Sequence, residues 1–577
     1  MKVSDYIVEY LIDKGISDAF GYPGGMVTHL MESFSKYQKE INAHVTYHEQ
    51  GAAFAACGYA QASGKTGVAY ATSGPGATNL ITGICNAYFD SIPVIFITGN
   101  VNTMEAKGKY SVRQRGFQET DVVSMVSNIT KYVAYIDEPS KIKWYLDYAF
   151  YMANTGRKGP VLLDIPMNIF RMEVEEENLV GYEPIIAVVD EQYTNFNIEK
   201  CVNALNESKR PVLLLGNGIK SSADNVDAVR SLMQILKIPV VTSMLAVDIP
   251  LSYEHYYGFI GAYGHRTANF VVAKSDLIIS IGSRLDVRQV GAKRECFAPN
   301  AKIIRVDIDA GELTYPVHSN ELQICCDAGI FVNKLISCLQ TMGYSAKSNS
   351  WLDVCIQIKQ KLNSINDIAS TQFSNRIVEN ISGNLLSDSL ITTDVGQNQV
   401  WIAQSLKLKW GQAVYFSGGH GAMGYSLPAA IGCYFGSGKT VYSFNGDGGI
   451  QMNIQELQTI ARENIPVKII ILNNNSLGMI RHFQEMYFSG NYFQTKEKGG
   501  YTSPNFEKLS EGYGIKYYSI SSLEDITSDK FEGDYPAIIE VKLSEDTYVF
   551  PKLEFGKPNH DQEPLIDRDI FEYLNLL

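Results

Sequence analysis

The chain has 577 residues and a formal net charge of −13, with its lysines and arginines spread without a basic run. That length exceeds what a single hydrophobic core supports and predicts three or four domains of roughly 150 residues each, while the acidic balance argues against nucleic acid or an anionic membrane surface as a partner. Nine cysteines without a C-x-x-C spacing, only Cys325 and Cys326 being adjacent, exclude a disulfide framework or a zinc knuckle and fit buried thiols in a reducing compartment.

The chain opens on an amphipathic helix with Tyr6, Ile7, Tyr10 and Leu11 on one face, not on a charged leader, and no apolar run reaches the roughly 20 residues of a membrane helix. A soluble, cytoplasmic protein is expected. From Ser4 to Pro166 helices alternate with apolar runs: Ser4 to Lys14, the turn Tyr22-Pro23-Gly24-Gly25, a strand His44 to Tyr47, His48-Glu49-Gln50-Gly51, a helix Ala52 to Ala62, a strand Val68 to Thr72, Ser73-Gly74-Pro75-Gly76, and strands at Val94 to Thr98 and Gly159 to Pro166. Such alternation predicts a parallel sheet covered by helices, with ligand-bearing loops at the carboxyl edge, where Glu49 and Gly74 fall. Gly51, Ala52, Ala53 and Phe54 surround Glu49 with small and apolar groups, a setting in which a carboxyl group holds or shares a proton near neutrality.

An acidic linker from Met172 to Glu191 separates this region from a second alternating pattern. There, strand Pro211 to Leu215 leads into Gly216-Asn217-Gly218, Leu277 to Ile281 leads into Gly282-Ser283-Arg284, and Lys302 to Val306 leads into Asp307. Glycine, hydroxyl and acidic residues at strand ends suit a dinucleotide across a doubly wound sheet, although many such sheets bind nothing.

The last third repeats the pattern. Leu390 to Thr393 ends in Asp394-Val395-Gly396-Gln397-Asn398, and a second strand end gives Ser417 to Tyr425, including Gly421 and Met423. Val441 to Phe444 ends in Gly446-Asp447-Gly448-Gly449, with a helix expected from Gln455 to Arg462; Val467 to Leu472 ends in Asn473-Asn474. Glycines at a strand-to-helix corner let backbone N–H groups approach an anion. Asp447 adds a hard oxygen for a divalent cation, and parallel strand ends lie side by side, so Asn474 can reach the same ion. Gln397 and Asn398 can donate to phosphate oxygens, and the Gly421 carbonyl can accept an amino group. Predicted domains are 1–180, 190–345 and 370–550, with a tail over 551–577 read as a strap: an α/β chain of three doubly wound parallel-sheet domains.

Gly-Asp-Gly, helix, apolar strand and Asn-Asn together resemble the diphosphate–magnesium motif of thiamine-diphosphate enzymes. Tyr22 to Gly25, His48 to Gly51, Thr72 to Asn79 and Gly116 to Asp121 occur in the order found in the acetolactate synthase (acetohydroxyacid synthase) large-subunit family, and the resemblance covers about residues 1–550. It implies thiamine diphosphate held by Pro23, Gly24, Gly25, Gly74, Asn79, Gly396, Gln397, Asn398, Gly421, Met423, Gly446, Gly448, Gly449 and Met479, and Mg²⁺ on Asp447, Asn474 and the Ser476 carbonyl. Glu49 would then bond the aminopyrimidine ring, Met423 would prop the bent cofactor, and Gly116, Phe117 and Gln118 would line the substrate pocket. It further implies FAD in a structural, non-redox role near Arg157, Gly216, Asn217, Gly218, Arg284, Asp286, Arg288, Asp307 and Asp327.

The implied reaction is pyruvate decarboxylation and transfer of the two-carbon unit to a second 2-oxo acid, by a homodimer or homotetramer, with a regulatory small subunit among the partners the resemblance raises. The segment Leu477 to Phe483 is expected as a loop capping the donor pocket. Met167 stands where the family commonly has lysine, Asn398 where it has histidine, Phe483 where it often has tryptophan, Tyr263 where it often has histidine and Val287 where aspartate is usual. Met167, Asn398, Phe483 and the tail favour the alternative: a related carboligase with a different acceptor, such as a nucleotide-linked keto-sugar.

Overall fold

The computed structural model describes residues 1–184, 191–346, 350–365 and 371–577. Part of the expected acidic linker, residues 185–190, lies outside the described residues, as do the first residues of the expected second and third domains. Three six-stranded sheets organise the chain. The first contains β1 (Asp18–Gly21), β2 (Asn42–Val45), β3 (Gly67–Ala71), β4 (Val94–Asn100), β5 (Tyr132–Tyr135) and β6 (Val161–Pro166), in the order β2-β1-β3-β4-β6-β5. The second contains β7 (Pro211–Leu215), β8 (Val240–Thr242), β9 (Tyr256–Phe259), β10 (Leu277–Ile281), β11 (Lys302–Asp307) and β12 (Leu322–Cys325), in the order β12-β11-β10-β7-β8-β9. β13 (Leu390–Thr393), β14 (Ala413–Phe416), β15 (Val441–Gly446), β16 (Val467–Asn473), β17 (Lys516–Ile520) and β18 (Ala537–Lys542) build the third, ordered β14-β13-β15-β16-β18-β17.

The registers are parallel, as Leu277↔Pro211 and Val441↔Val467 show. Central strands are buried on both faces: β3, β4, β7 and β10 are buried throughout, which is why they read as mainly apolar runs. β1, β5, β9, β12, β17 and β18 escaped the sequence reading. β5 and β12 are short and only partly buried, so neither alternation nor a continuous run marks them.

The chain divides into two compact units, one holding the first and third sheets and the other the second sheet and the tail. Within the first unit, the helix Glu49–Ser63 packs on the helix Ser426–Ser437 through glycines. A Cβ on Gly58 would stand 2.1 Å from the Ala429 carbonyl oxygen, and one on Gly432 would stand 1.8 Å from that of Ala55, so only backbone fits at this crossing. Tyr425 Oη donates to Gln61 Oε1, Asp90 accepts the Gly418 and Gly419 N–H groups, and Ser417 Oγ donates to Asn86 Oδ1. The loop after β14 is thereby fixed to helices of the first sheet.

In the second unit the tail is neither free nor wholly irregular. Leu553 N donates to the Ala262 carbonyl, Gln562 Nε2 donates to the Gly264 carbonyl, and the buried Arg266 donates to the carbonyls of Gln562 and Pro564. A helix, Arg568–Leu576, buries Leu574 against Phe270, Ile358 and Leu362. The tail is therefore a clamp on the central unit. No helix among the described residues is long and apolar enough to cross a membrane.

Candidate active site

Four neighbouring strands of the third sheet deliver the predicted diphosphate and metal residues to one edge. β15 ends at Gly446, with Asp447 next; β16 ends at Asn473, with Asn474 next. Their register, Gly446↔Leu472, sets the two loops side by side. Asp447 and Asn474 are buried, at 2 % and 4 % exposure. Asn474 Nδ2 donates to Gln397 Oε1 at 2.9 Å, which turns the amide so that Oδ1 remains the acceptor. The Ser476 carbonyl accepts from Gly478 N at 2.8 Å, leaving one lone pair.

The helix expected from Gln455 to Arg462 is present at Glu456–Glu463, and three details of this edge go beyond the sequence reading. After Gly449 the chain enters a short 3₁₀ turn, Ile450–Asn453, and the α-helix begins only at Glu456, so backbone N–H groups of the loop, not a helix start, face the corner. Asn398 spends one amide donor on the Asp394 carbonyl, at 2.8 Å, because its helix begins directly at the strand end; one donor is left for a ligand. The segment from Leu477, expected as a loop, is the helix Gly478–Tyr487, with Met479 half-buried and Phe483 packed on Tyr487 and Phe488. Its apolar and polar residues alternate at helical spacing, which the loop reading overlooked.

Two contacts here were invisible to the sequence reading. Tyr501 Oη donates to Asp447 Oδ2 at 2.8 Å. Asp394, with no exposure, accepts the N–H groups of Val395, Gly424 and Tyr425, and a Cβ on Gly449 would lie 2.1 Å from its Oδ2. One buried carboxyl thus gathers the loops after β13, β14 and β15. Met423 belongs to that gathering, its methyl facing Gly448. Gly421, in the left-handed region at φ +69°, has open space where a side chain would be.

The first sheet presents a second edge. Loops after β2, β1, β3 and β4, neighbours in that order, carry Glu49, Gly24–Gly25, Gly74 and the segment to Gln118. Glu49 opens its helix behind the N-cap His48, is 7 % exposed, and its Oε2 accepts from Asn79 Nδ2 at 2.9 Å. Gly24 lies where a Cβ would meet Thr72 at 2.4 Å, whereas Gly25 faces open space. Gln118 takes φ +64°, rare for a side-chain-bearing residue, and Gly74 is packed against its backbone. Beside it, Phe117 is 79 % exposed. A cavity of about 380 Å³ is lined by Met26, Asn102, Met104, Glu105, Arg115, Gly116, Phe117 and Met167.

In the central unit, the ends of β7, β10, β11 and β12 are adjacent and bring together Gly216–Gly218, Gly282–Arg284, Asp307 and Asp327. A Cβ on Gly216 would strike the Gly282 carbonyl oxygen at 2.1 Å, so the two loops touch through backbone. Asp327 caps its helix by accepting the N–H groups of Gly329 and Ile330 on one oxygen, whereas Asp286 has both oxygens engaged, accepting from Arg288 N on Oδ1 and from Arg284 Nη2 at 3.3 Å on Oδ2. Arg157 belongs to the first unit, before β6, with Nε donating to Ser91 Oγ.

Burial pushes Asp447 up to about 6 and Glu456 up to about 7. Glu456 also escaped the sequence reading: fully buried, it accepts from Tyr47 N at 2.9 Å and from Thr459 Oγ1, and so anchors the loop that delivers Glu49. Folded Glu456 binds a proton more tightly than the unfolded side chain, whose ordinary value is 4.5, so its contribution to stability falls as pH rises through the window from 4.5 to about 7. Glu456→Gln should therefore flatten the decline in melting temperature between about pH 5 and pH 8, by about 2–4 °C for each kcal/mol of linkage removed. Fluorimetric melts of both proteins across that range check it.

Comparison with known families assigns a domain to each of the three sheet-bearing regions. Residues 1–125 match the thiamine pyrophosphate enzyme N-terminal TPP binding domain, 198–335 the central domain and 394–541 the C-terminal TPP binding domain. The fold and its two loop-bearing edges therefore define a thiamine-diphosphate-dependent enzyme. Among its relatives are the acetolactate synthase large subunit of Lactococcus lactis, 36% identical over 96% of this chain and 94% of the relative, and acetolactate synthase isozyme 2 large subunit of Escherichia coli, 32% identical over 97% and 99%. A probable acetolactate synthase large subunit of Methanocaldococcus jannaschii is 37% identical over 91% and 88%. The chain belongs to the acetolactate synthase large-subunit family.

The residues present fit the cofactor. Open space over Gly25 and Gly421, backbone loops that exclude side chains, and a single buried carboxylate beside an amide oxygen make a cradle for a diphosphate and one cation. Among the described residues no three His, Cys, Asp or Glu side chains converge as a metal set, so a cation here would have to share its ligands with the diphosphate.

Proposed function

We propose that Asp447, the Asn474 amide oxygen and the Ser476 carbonyl hold Mg²⁺ against the diphosphate, that Gln397 and the backbone around Gly396, Gly446, Gly448 and Gly449 hold the diphosphate itself, and that Glu49 serves the pyrimidine ring. The observation that carries this reading is the buried Asp447–Asn474–Gln397 cluster at the ends of adjacent parallel strands. When bound, thiamine diphosphate supplies a carbon nucleophile that attacks a 2-oxo acid and stores the electrons released with carbon dioxide. Glu49 exchanges a proton with the ring nitrogen, and Asn79 orients its carboxyl group through the 2.9 Å bond. Met423 supports the cofactor from below the Gly448 loop. Gln118 and Phe117 border the substrate approach, Gln118 with an amide that can donate to a carbonyl oxygen.

Pyruvate is the donor and 2-acetolactate the product when a second pyruvate accepts, as the relatives' names support. Glu49 and Asp447 of one active site come from different chains in this reading, so a homodimer is the smallest active unit. The Gly216, Arg284, Asp307 and Asp327 edge of the central unit holds FAD in a structural role, supported by its backbone-lined loops and the second oxygen of Asp327. Tyr501 steadies the metal ligand: Tyr501→Phe should weaken Mg²⁺ affinity by about tenfold, the low end for loss of a supporting residue, measured by calorimetry. To test the function, purified protein is given pyruvate, Mg²⁺ and thiamine diphosphate. Acetolactate, read as acetoin after acid treatment, is expected; no release of carbon dioxide from pyruvate would refute it.

A further inference from the structure

The acceptor side of the first sheet carries a charge that the family reaction leaves unexplained. Between Ala106 and Gln118 the chain holds Lys107, Lys109, Arg113 and Arg115 and no acid, although its net charge is −13. Glu119 folds this segment back on itself, its carboxylate accepting from the backbone N–H of Lys107 at 2.6 Å, Arg115 at 2.9 Å and Gly116 at 3.2 Å. The cations point outward: Lys109, Arg113 and Arg115 are exposed, and Arg115 spends one Nη1 contact on the Ala106 carbonyl. Three acids stand nearby, one of them Asp121, which accepts from Ser124 N and Oγ and feels the charge of Lys107. Glu119 is engaged by those amides, and Glu105 by Asn102 N and Nδ2.

Arg115 also lines the cavity, beside the apolar Met26, Met104, Phe117 and Met167 and the polar Asn102 and Glu105. The cavity bears no cation at Met167; the cation among its lining residues is Arg115, at the end of the 107–115 segment. A volume of about 380 Å³ lies in the range of clefts that enclose ligands far larger than a three-carbon acid, roughly 300–1,000 Å³. Closely spaced arginines are suited to phosphate, which they bind in a fork.

We propose that the carbonyl acceptor carries a phosphate or diphosphate group, bound by the 107–115 segment, while its uncharged body rests against Phe117 and Met167. This rests on the reading that Phe117 and Gln118 border the reacting carbonyl. In the reaction, pyruvate loses carbon dioxide, a carbon–carbon bond joins its acetyl carbon to the acceptor's carbonyl carbon, and the acceptor oxygen takes up one proton to become a hydroxyl. No external oxidant or reductant is needed.

The test gives the full-length holoenzyme labelled pyruvate with dihydroxyacetone phosphate or dihydroxyacetone, and reads product by mass spectrometry and binding of each ketone by calorimetry. The phosphorylated ketone should be favoured by at least about tenfold in kcat/KM, the scale of one hydrogen bond to a charged group. Arg113→Gln/Arg115→Gln should bring the ratio towards one, and Arg113→Lys/Arg115→Lys should restore part of it. Equal use of both ketones, or a ratio untouched by the glutamine pair, overturns the proposal, as does a preference for 2-oxobutyrate without calorimetric binding of the phosphorylated ketone. Release of labelled carbon dioxide from pyruvate is scored separately and judges the underlying reading alone.

Discussion

Glu49→Gln is expected to lower turnover of pyruvate by two orders of magnitude or more while thiamine diphosphate stays bound, the effect of removing a positioned proton donor and acceptor. The substitution keeps the shape and the Asn79 contact of the side chain but removes its ability to take up and release a proton. Glu49 is buried, opens its helix, and is surrounded by loops of the neighbouring strands. Retained cofactor with lost turnover separates a chemical role from a structural one. Steady-state kinetics with calorimetry of cofactor binding check it, and unimpaired turnover would remove Glu49 from the mechanism.

Asp447→Ala should act at the other edge and in the other sense: magnesium should cease to strengthen thiamine diphosphate binding. Loss of a supporting residue costs metal affinity roughly 10–100-fold, and loss of the sole carboxylate in the cluster should cost more. Asn474, Gln397 and the Ser476 carbonyl would remain, but none carries a charge to offset a divalent cation and a diphosphate. Titrating cofactor into the variant with and without Mg²⁺ reads the difference. An unchanged magnesium effect would place the cation elsewhere.

What the sequence disclosed, and what it hid, follows from where the interactions lie along the chain. Strands such as Leu277–Ile281 and Pro211–Leu215 were legible to the residue because a strand buried on both faces is nearly all apolar, and the glycine that follows marks its end. Motifs at carboxyl edges were legible for the same reason: glycine, aspartate and asparagine interrupt an apolar run only where backbone must bend or a ligand must be met. The helix Arg568–Leu576 was legible in principle from Ile570, Phe571 and Leu574, but the proline-rich stretch before it drew attention away. Pairings between distant segments were not legible. Nothing in the spacing announces that Tyr501 meets Asp447, that Glu456 anchors the Tyr47 loop, or that Asp394 collects three loops. Each depends on which strands become neighbours, as does the four-cation segment at the rim of the Phe117 cavity, whose charges are dispersed among neutral residues.

The account turns on two loop-bearing sheet edges serving a single cofactor. A crystal structure of the protein with thiamine diphosphate and Mg²⁺ tests that most directly. The predicted result is a cation bound to Asp447 and Asn474 and a Glu49 carboxyl group within about 2.6–3.2 Å of the pyrimidine ring nitrogen. A bound cofactor whose ring lies away from every Glu49 in the assembly, or whose diphosphate is held without a cation at Asp447, would contradict it.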